Sequence, residues 1–317
     1  MNDLRKTSTI EINGASGVPK TGRTAPIDIV FLVFEGFQPI DLAGPWQAFS
    51  TANDELGHAR YRLRTCGTAS VAASTDAGLR LQVDLDLEQS LSSPMHTVIV
   101  PGGEGIHRAS SDPQMLDWVR AQDALSQRTC SVCTGAFLLA AAGLLDGCRV
   151  TTHWRSAAQL QGRFPKLIVN DELIFCQSTK YWTTAGVSAG IDLALTLIEN
   201  DCGARLAQKV ARRLVVYLRR GGDQRQYSQT LRAQDRAEGP FSELVGQMEA
   251  RLSHAWSIDE MADICNMSRR TFQRKFKSAF GIPALEVLNN LRAERREVVQ
   301  RSGRHSQKQM DRLLQDS

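Results

Sequence analysis

An α/β sheet domain followed by an all-α helix-turn-helix domain is the architecture this sequence predicts, and three observations carry the prediction. From Ile27 onward short apolar strands alternate with amphipathic helices, the rhythm of a parallel sheet with helices on both faces. In SVCTGAF a buried strand runs directly into a helix at Cys133, a sharp strand-to-helix turn with the small Gly135 allowing close approach. Residues 257–280, SIDEMADICNMSRRTFQRKFKSAF, place two helix-start signals either side of a short turn and leave a basic face on the second helix.

Taken in order, residues 1–25 are rich in Ser, Thr, Gly and Lys and read as a disordered tail. IDIVFLVF reads as the first strand, DLAGPWQAFSTAN as a helix, YRLRTC as the second strand, and the segment around Asp76 to Gly78 as a hairpin. TVIVPGG is a further strand and 113–126 a helix, followed by the strand TCSVC and the helix GAFLLAAAGLL. Strands near 167–184 and the helix SAGIDLALTLIEN complete a domain spanning 26–205. In sheets of this kind ligands gather at the carboxyl ends of the strands. A helix over 203–220 carries Leu206, Val210, Leu214 and Leu218 on one stripe, which either closes this domain or meets a partner subunit. Residues 221–240, rich in Gly, Gln and Arg and poor in apolar side chains, read as a linker, so that 206–240 is helix plus linker and 241–317 the second domain.

A chain of 317 residues with 42% hydrophobic residues supports two cores. It contains no apolar run approaching the roughly 18 residues of a membrane span, and its N-terminus lacks the apolar centre of a signal peptide, so a cytoplasmic location is expected. The seven cysteines, an odd number scattered along the chain, argue for reduced thiols. Cys130-x-x-Cys133 has no second ligand pair at suitable spacing, so no metal and no cofactor is expected.

In the C-terminal motif Ser257 stands three residues before Glu260 in a capping-box arrangement, and Ser268 is placed to cap the second helix. Ile258, Met261 and Ala262 form one apolar stripe; Phe272, Phe276 and Phe280 recur every four residues and form another. Asn266 falls at the turn, where a residue tolerant of left-handed backbone is required. Opposite the phenylalanines stand Arg269, Arg270, Gln273, Arg274 and Lys277, side chains that bond base edges or neutralise phosphates in a major groove. From 269 to 296 eight Lys/Arg face two Glu, in a chain whose net charge is only +4, so basic charge is concentrated at the motif. Ser268 to Lys277 is therefore the expected DNA-contacting segment, with promoter DNA as partner.

Two readings of Cys133 stand: a small buried residue filling a strand end, or a reactive cysteine whose thiolate is favoured by the helix N-terminus. Asp41 is either an acidic partner for the site or the N-cap of the helix beginning LAGPW, and the two roles are compatible. His153 in TTHW is either a general base titrating near neutrality or a structural group beside Trp154. Trp46, Trp154 and Trp182 either stack on an apolar or quaternary-ammonium ligand or simply bury area.

With IDLAGP, VPGG, SVCTGAFLLAAAGLLDGCRVTTHW and TTAGVSAGIDLALTLIE in register, residues 27–200 resemble the DJ-1/PfpI superfamily, in the branch that includes isocyanide hydratases and GlxA-type regulators, with a flavodoxin-like sheet. The resemblance implies that Cys133 is the elbow cysteine, Asp41 its acidic partner and Thr134 the following hydroxyl, with amides near Gly102, Gly103 and Thr134 lining an anion-binding corner. The superfamily's proteases and deglycases have a histidine after the cysteine where this chain has Thr134, which disfavours protease-like chemistry. Residues 257–299 resemble the DNA-binding domain of AraC/XylS-type regulators, through the connecting helix FGIPALEVLNNLRAERREVV. The tail QRSGRHSQKQMDRLLQDS resembles nothing in that family's second helix-turn-helix, which implies a truncated domain. The order sensor, linker, reader resembles GlxA-type members of the AraC family and implies a homodimeric transcriptional regulator that senses a small nitrogenous effector. The alternative it carries is an isocyanide hydratase-like enzyme using Cys133 and Asp41.

Overall fold

The computed structural model describes residues 25–68, 73–216, 220–223, 226, 233–234 and 236–296. The expected tail except Ala25, nine residues of the expected linker 221–240 and the chain after 296 lie outside the described residues, and with them the expected truncation of the second domain.

Seven strands form one sheet: β1 (Ile27–Leu32), β2 (Tyr61–Gly67), β3 (Leu85–Asp86), β4 (Thr97–Val100), β5 (Arg128–Ser131), β6 (Phe175–Ser178) and β7 (Tyr181–Thr184). Their spatial order is β6-β7-β5-β4-β1-β2-β3. The central strands β1, β4 and β5 are buried almost throughout, which is why their sequences are continuous runs rather than alternating ones. All neighbours pair in parallel except β6 with β7, which are antiparallel. The expectation of a wholly parallel sheet is corrected at this edge: Thr179 and Lys180 alone connect β6 to β7, too short for the crossover that parallel strands need. The expected hairpin around Asp76 to Gly78 is present as the antiparallel pair Ala73–Ser74 and Arg80–Leu81.

Helix α1 (Pro39–Leu56) starts two residues ahead of Asp41, because Pro39 sits at the first helical position with its φ already helical, and Gly57 ends it in a left-handed conformation. Asp41 therefore lies in the first turn and is not the N-cap, a position held by Gln38. The other helices of this domain include α2 (Pro113–Leu125), α3 (Ala136–Ala141), α4 (Trp154–Arg163), α5 (Ala189–Cys202) and α6 (Ala204–Arg213). α1, α5 and α6 pack on one another, as do α2 and α3. A bidentate pair joins Arg128 at the start of β5 to Asp201 near the end of α5, at 2.8 and 2.9 Å.

α6 is shorter than the expected 203–220 helix. It stops at Arg213, and Val215 has φ of 56°, a left-handed backbone that a helix cannot continue through. Leu206 and Val210 are buried in the core of the sheet domain, so this stripe closes the domain; Leu218 lies outside the described residues.

A separate apolar core holds α7 (Pro240–Ala250), α8 (Ile258–Ile264), α9 (Arg269–Phe280) and the helical residues 284–296. Ser257 Oγ accepts from the Glu260 amide at 3.1 Å, while the Glu260 carboxylate reaches His254 Nε2 at 2.9 Å. Asn266 has φ of 51°, the left-handed turn its residue type favours. Phe272, Phe276 and Phe280 are buried, with Phe276 and Phe280 stacked at 4.0 Å. Phe241 of α7 meets all three rings edge-on at 6.2, 5.3 and 5.9 Å.

Candidate functional site

The first candidate site is the strand-to-helix turn after β5. Val132 is extended, Cys133 has φ of 56°, and Cys133–Gly135 form a 3-10 turn leading into α3. A non-glycine residue with positive φ carries strain of about 1–3 kcal/mol, so the surroundings must hold it. They do so by close approach. A Cβ on Gly135 would lie 2.2 Å from Val100 O, one on Gly102 2.6 Å from Thr134 N, and one on Gly186 2.2 Å from Cys133 Cβ. Three chain segments thus converge on Cys133, which is 5% exposed.

Asp41 faces this turn from α1. Its Oδ2 accepts from the Gly102 amide at 3.0 Å and its Oδ1 from the Val187 amide at 2.8 Å, and the Cys133 thiol also donates to the carboxylate. Burial raises Asp41 to a pKa of about 6, against the opposing pull of the Val187 and Gly102 amides. The Cys133 thiol is pushed far above its ordinary value, first by burial and then by the negative charge of Asp41. This corrects the expectation of a favoured thiolate. The helix that follows is only Ala136–Ala141, and the amide and hydroxyl of Thr134 do not offset desolvation plus a neighbouring carboxylate.

The backbone amides expected to line an anion-binding corner have internal partners. Gly102 donates to Asp41, Gly103 donates to Thr134 Oγ1 at 3.0 Å, and the Thr134 amide points to the Cys133 sulfur. Cys133, Asp41, Thr134, Gly102 and Gly103 are thus one connected group, built on polar bonds within the protein.

His153 is the N-cap of α4: its Nδ1 accepts from the Arg155 amide at 3.4 Å, and its ring tilts against Trp154. Burial and the nearby Arg155 hold its pKa below the ordinary histidine value. Its neighbour Thr152 is the residue that touches the turn, with Oγ1 donating to Cys133 O at 2.7 Å. Trp46 lies against Phe31 and Trp182 against Phe175, while Trp154 is largely exposed beneath Arg155. Among the described residues no cluster of His, Cys, Asp and Glu could hold a metal, and all seven cysteines are free thiols.

The second candidate site is the outer face of α9. Ser268 caps it, its Oγ accepting from the Thr271 amide at 3.4 Å. With Phe272, Phe276 and Phe280 turned inward, Arg270, Gln273, Arg274 and Lys277 are exposed on the other side and have no ion-pair partner among the described residues. Arg269 differs: its guanidinium meets Asp259 of α8 at 3.0 Å, which neutralises part of the expected basic face. The resulting surface can donate hydrogen bonds to bases and phosphates from one helix.

Sequence reasoning did not single out Gly186, Val187, Thr152 or Phe241. Gly186 and Val187 stand in TTAGVSAG, where a glycine directly before a helix and next to the sheet was the available signal. For Phe241 the signal was a helix start at Gly239-Pro240.

Fold and sites together define an α/β domain followed by a helix-turn-helix. The model of the DJ-1/PfpI family matches residues 28–200, and that of bacterial regulatory helix-turn-helix proteins of the AraC family matches residues 248–288. The chain is 31% identical over 264 residues to the HTH-type transcriptional regulator GbdR of Pseudomonas aeruginosa, covering 83% of this chain and 70% of that protein. It is 34% identical over 184 residues to the isonitrile hydratase of Pseudomonas putida, covering 58% of this chain and 76% of the hydratase. The crystal structure of a ThiJ/PfpI family protein from Pseudomonas syringae superposes with a TM-score of 0.55 at 24% identity, covering 68% of this chain and 88% of that one, and shares the fold. This chain belongs to the DJ-1/PfpI family and, within it, to the AraC-type transcriptional regulators whose α/β domain precedes the helix-turn-helix. The match to the hydratase covers 58% of this chain, and the match to the regulator, at 83%, is long enough to run into both domains; the protein is a transcriptional regulator.

Proposed function

We propose that the group around Cys133 and Asp41 is the effector site of this regulator, that its ligand is a small cationic nitrogen compound, and that α9 reads promoter DNA. The observation that carries the effector class is the Asp41 carboxylate. It is fully buried, its hydrogen bonds come from two amides and a thiol, and no Lys or Arg pairs with it among the described residues. A buried carboxylate without a counter-charge favours a ligand that supplies one, because the pair then recovers the Coulomb energy lost on burial. The thiol of Cys133, held protonated, serves as a donor that orients the carboxylate. The name of the GbdR relative, a transcriptional regulator, agrees with this use of the domain. By the same reading the protein works in the cytoplasm as a homodimer on DNA, because two-fold subunits match paired half-sites.

The test is thermal unfolding of the full chain against a panel of primary, methylated and guanidino ammonium compounds at millimolar concentration, each beside its uncharged isostere. Binding at 100 times Kd stabilises by about 2.7 kcal/mol. At least one cation is expected to raise Tm in the parent protein and not in Asp41→Asn, with the isosteres inert. Equal stabilisation by the uncharged isosteres refutes the cation assignment.

A further inference from the structure

Beyond α6 the chain does not leave the sheet domain directly. Arg220 donates from its backbone amide to Asp192 Oδ1 at 3.0 Å, from Nε and Nη2 to Asp192 Oδ2 at 2.9 and 2.6 Å, and from Nη2 to Ser188 Oγ at 2.8 Å. Asp192 is a buried residue of α5. Two residues on, Gly222 lies so close to β6 that a Cβ would come within 2.5 Å of Phe175 O, and the Phe175 amide donates to Gly222 O at 3.4 Å. Gln226 then fastens the chain a third time. Its Nε2 donates to Thr152 O at 2.7 Å, its Oε1 accepts from the Trp154 amide at 2.9 Å, and its own amide donates to Glu172 O at 2.9 Å.

These anchors are not spread over the domain at random. Arg220 grips Ser188, and the residue before it, Val187, donates its amide to Asp41. Val187 and Gly186 both have left-handed φ, of 52° and 91°, and Gly186 rests on the Cys133 backbone. Gln226 grips Thr152, whose hydroxyl donates to the Cys133 carbonyl. Each end of the anchored stretch is therefore one residue, or one hydrogen bond, away from a segment that forms the wall of the Cys133–Asp41 group. The segments carry strained or closely packed backbone, which moves between discrete arrangements rather than yielding gradually.

We propose that the anchored residues Arg220, Gly222 and Gln226 are the output lever of the domain: a change at Cys133 and Asp41 shifts the 186–188 and 151–153 segments, alters the seating of Arg220 and Gln226, and so resets the chain that leads to α7 and the reading helix. This rests on the effector-site reading above and adds its means of transmission. Coupling between two sites is reciprocal, so unseating the lever must be felt at Cys133.

That reciprocity allows a test that needs no effector. The full chain and its Arg220→Ala, Arg220→Lys, Gln226→Ala and Arg213→Ala variants are treated with iodoacetamide at fixed pH, and alkylation is followed cysteine by cysteine by mass spectrometry. Limited proteolysis between 217 and 232 is followed in parallel. Arg213 pairs with Asp54 and Glu55, away from both segments, and serves as the control. Arg220→Ala and Gln226→Ala are expected to speed proteolysis in the linker and to change the Cys133 alkylation rate at least fivefold, with Arg220→Lys intermediate. Cys66 and Cys130, buried in the core, report unfolding and are expected to stay unreactive. An unchanged Cys133 rate in Gln226→Ala and Arg220→Lys overturns the proposal, whether or not the linker is cut faster. So does an equal change in Arg213→Ala. Neither outcome touches the effector-site reading, which stands or falls on the Asp41→Asn binding comparison.

Discussion

Gly186 backs onto Cys133 so closely that a single added carbon would lie 2.2 Å from the cysteine Cβ. The relationship explains how a cysteine is kept at positive φ: the turn after β5 and the loop before α5 brace each other. Gly186→Ala breaks the brace twice over, through the clash and through the alanine side chain at φ of 91°. A loss of about 2–4 kcal/mol is expected, lowering the Tm of the sheet domain by roughly 5–10 °C in thermal denaturation. A variant with unchanged Tm would show that the brace is not needed.

The pH dependence of stability follows from Asp41. Its carboxyl has an ordinary value of 3.8 and is raised to about 6 in the folded chain. Between these values the folded state holds a proton that the unfolded state has already released, so the contribution of Asp41 to stability is greatest below about 4 and falls as pH rises towards 6. The shift corresponds to about 3 kcal/mol. In Asp41→Asn this part of the slope is expected to vanish, so that urea midpoints at pH 4 and pH 7 differ less than in the parent protein. The raised Cys133 thiol has the same sign at higher pH, with stability lost above the ordinary thiol range, and Cys133→Ala removes that alkaline loss.

The reading face should be uneven. Arg270→Ala and Arg274→Ala remove exposed guanidinium groups that have no ion-pair partner among the described residues, and are each expected to weaken binding to the gene's own upstream DNA by about 1–3 kcal/mol. Arg269→Ala removes a group already paired with Asp259 and should cost less than either. Fluorescence anisotropy across a salt series checks both, since each lost phosphate contact lowers the salt slope by about one unit. Equal effects at 269, 270 and 274 would contradict the role of the Asp259 pair.

Phe241 is the keystone of the second core, meeting all three phenylalanine rings of α9 from a helix outside the helix-turn-helix itself. Phe241→Ala is expected to cost about 3–5 kcal/mol. A small four-helix core does not survive that loss, so DNA binding should disappear while the sheet domain keeps its own unfolding transition in calorimetry. Retained DNA affinity would show that α7 is dispensable.

Much of this arrangement was legible in the residues themselves. Strand and helix periodicity located most of the central strands and the longer helices but not β3, α4 or α7, while the Ser268 cap, the Asn266 turn and the Phe272–Phe276–Phe280 stripe were visible locally because they rest on residue type and on i+3 or i+4 spacing. Cys133 and Asp41 were found through motif resemblance. The thiolate expectation failed because a helix dipole is read from sequence neighbours, whereas the burial and the carboxylate that overrule it come from α1, 92 positions away. The antiparallel edge was missed for a related reason, since strand direction depends on a connection length that composition does not mark. Arg220 ends the expected helix and Gln226 lies in a stretch whose polar composition reads as linker, and only the folded chain shows both clasped to the domain.

A thiol kept in its protonated form beside a carboxylate reacts slowly with peroxide, which attacks the anion. The closed turn at Cys133, buried and held as the thiol, therefore disfavours sulfenic acid formation at this sulfur.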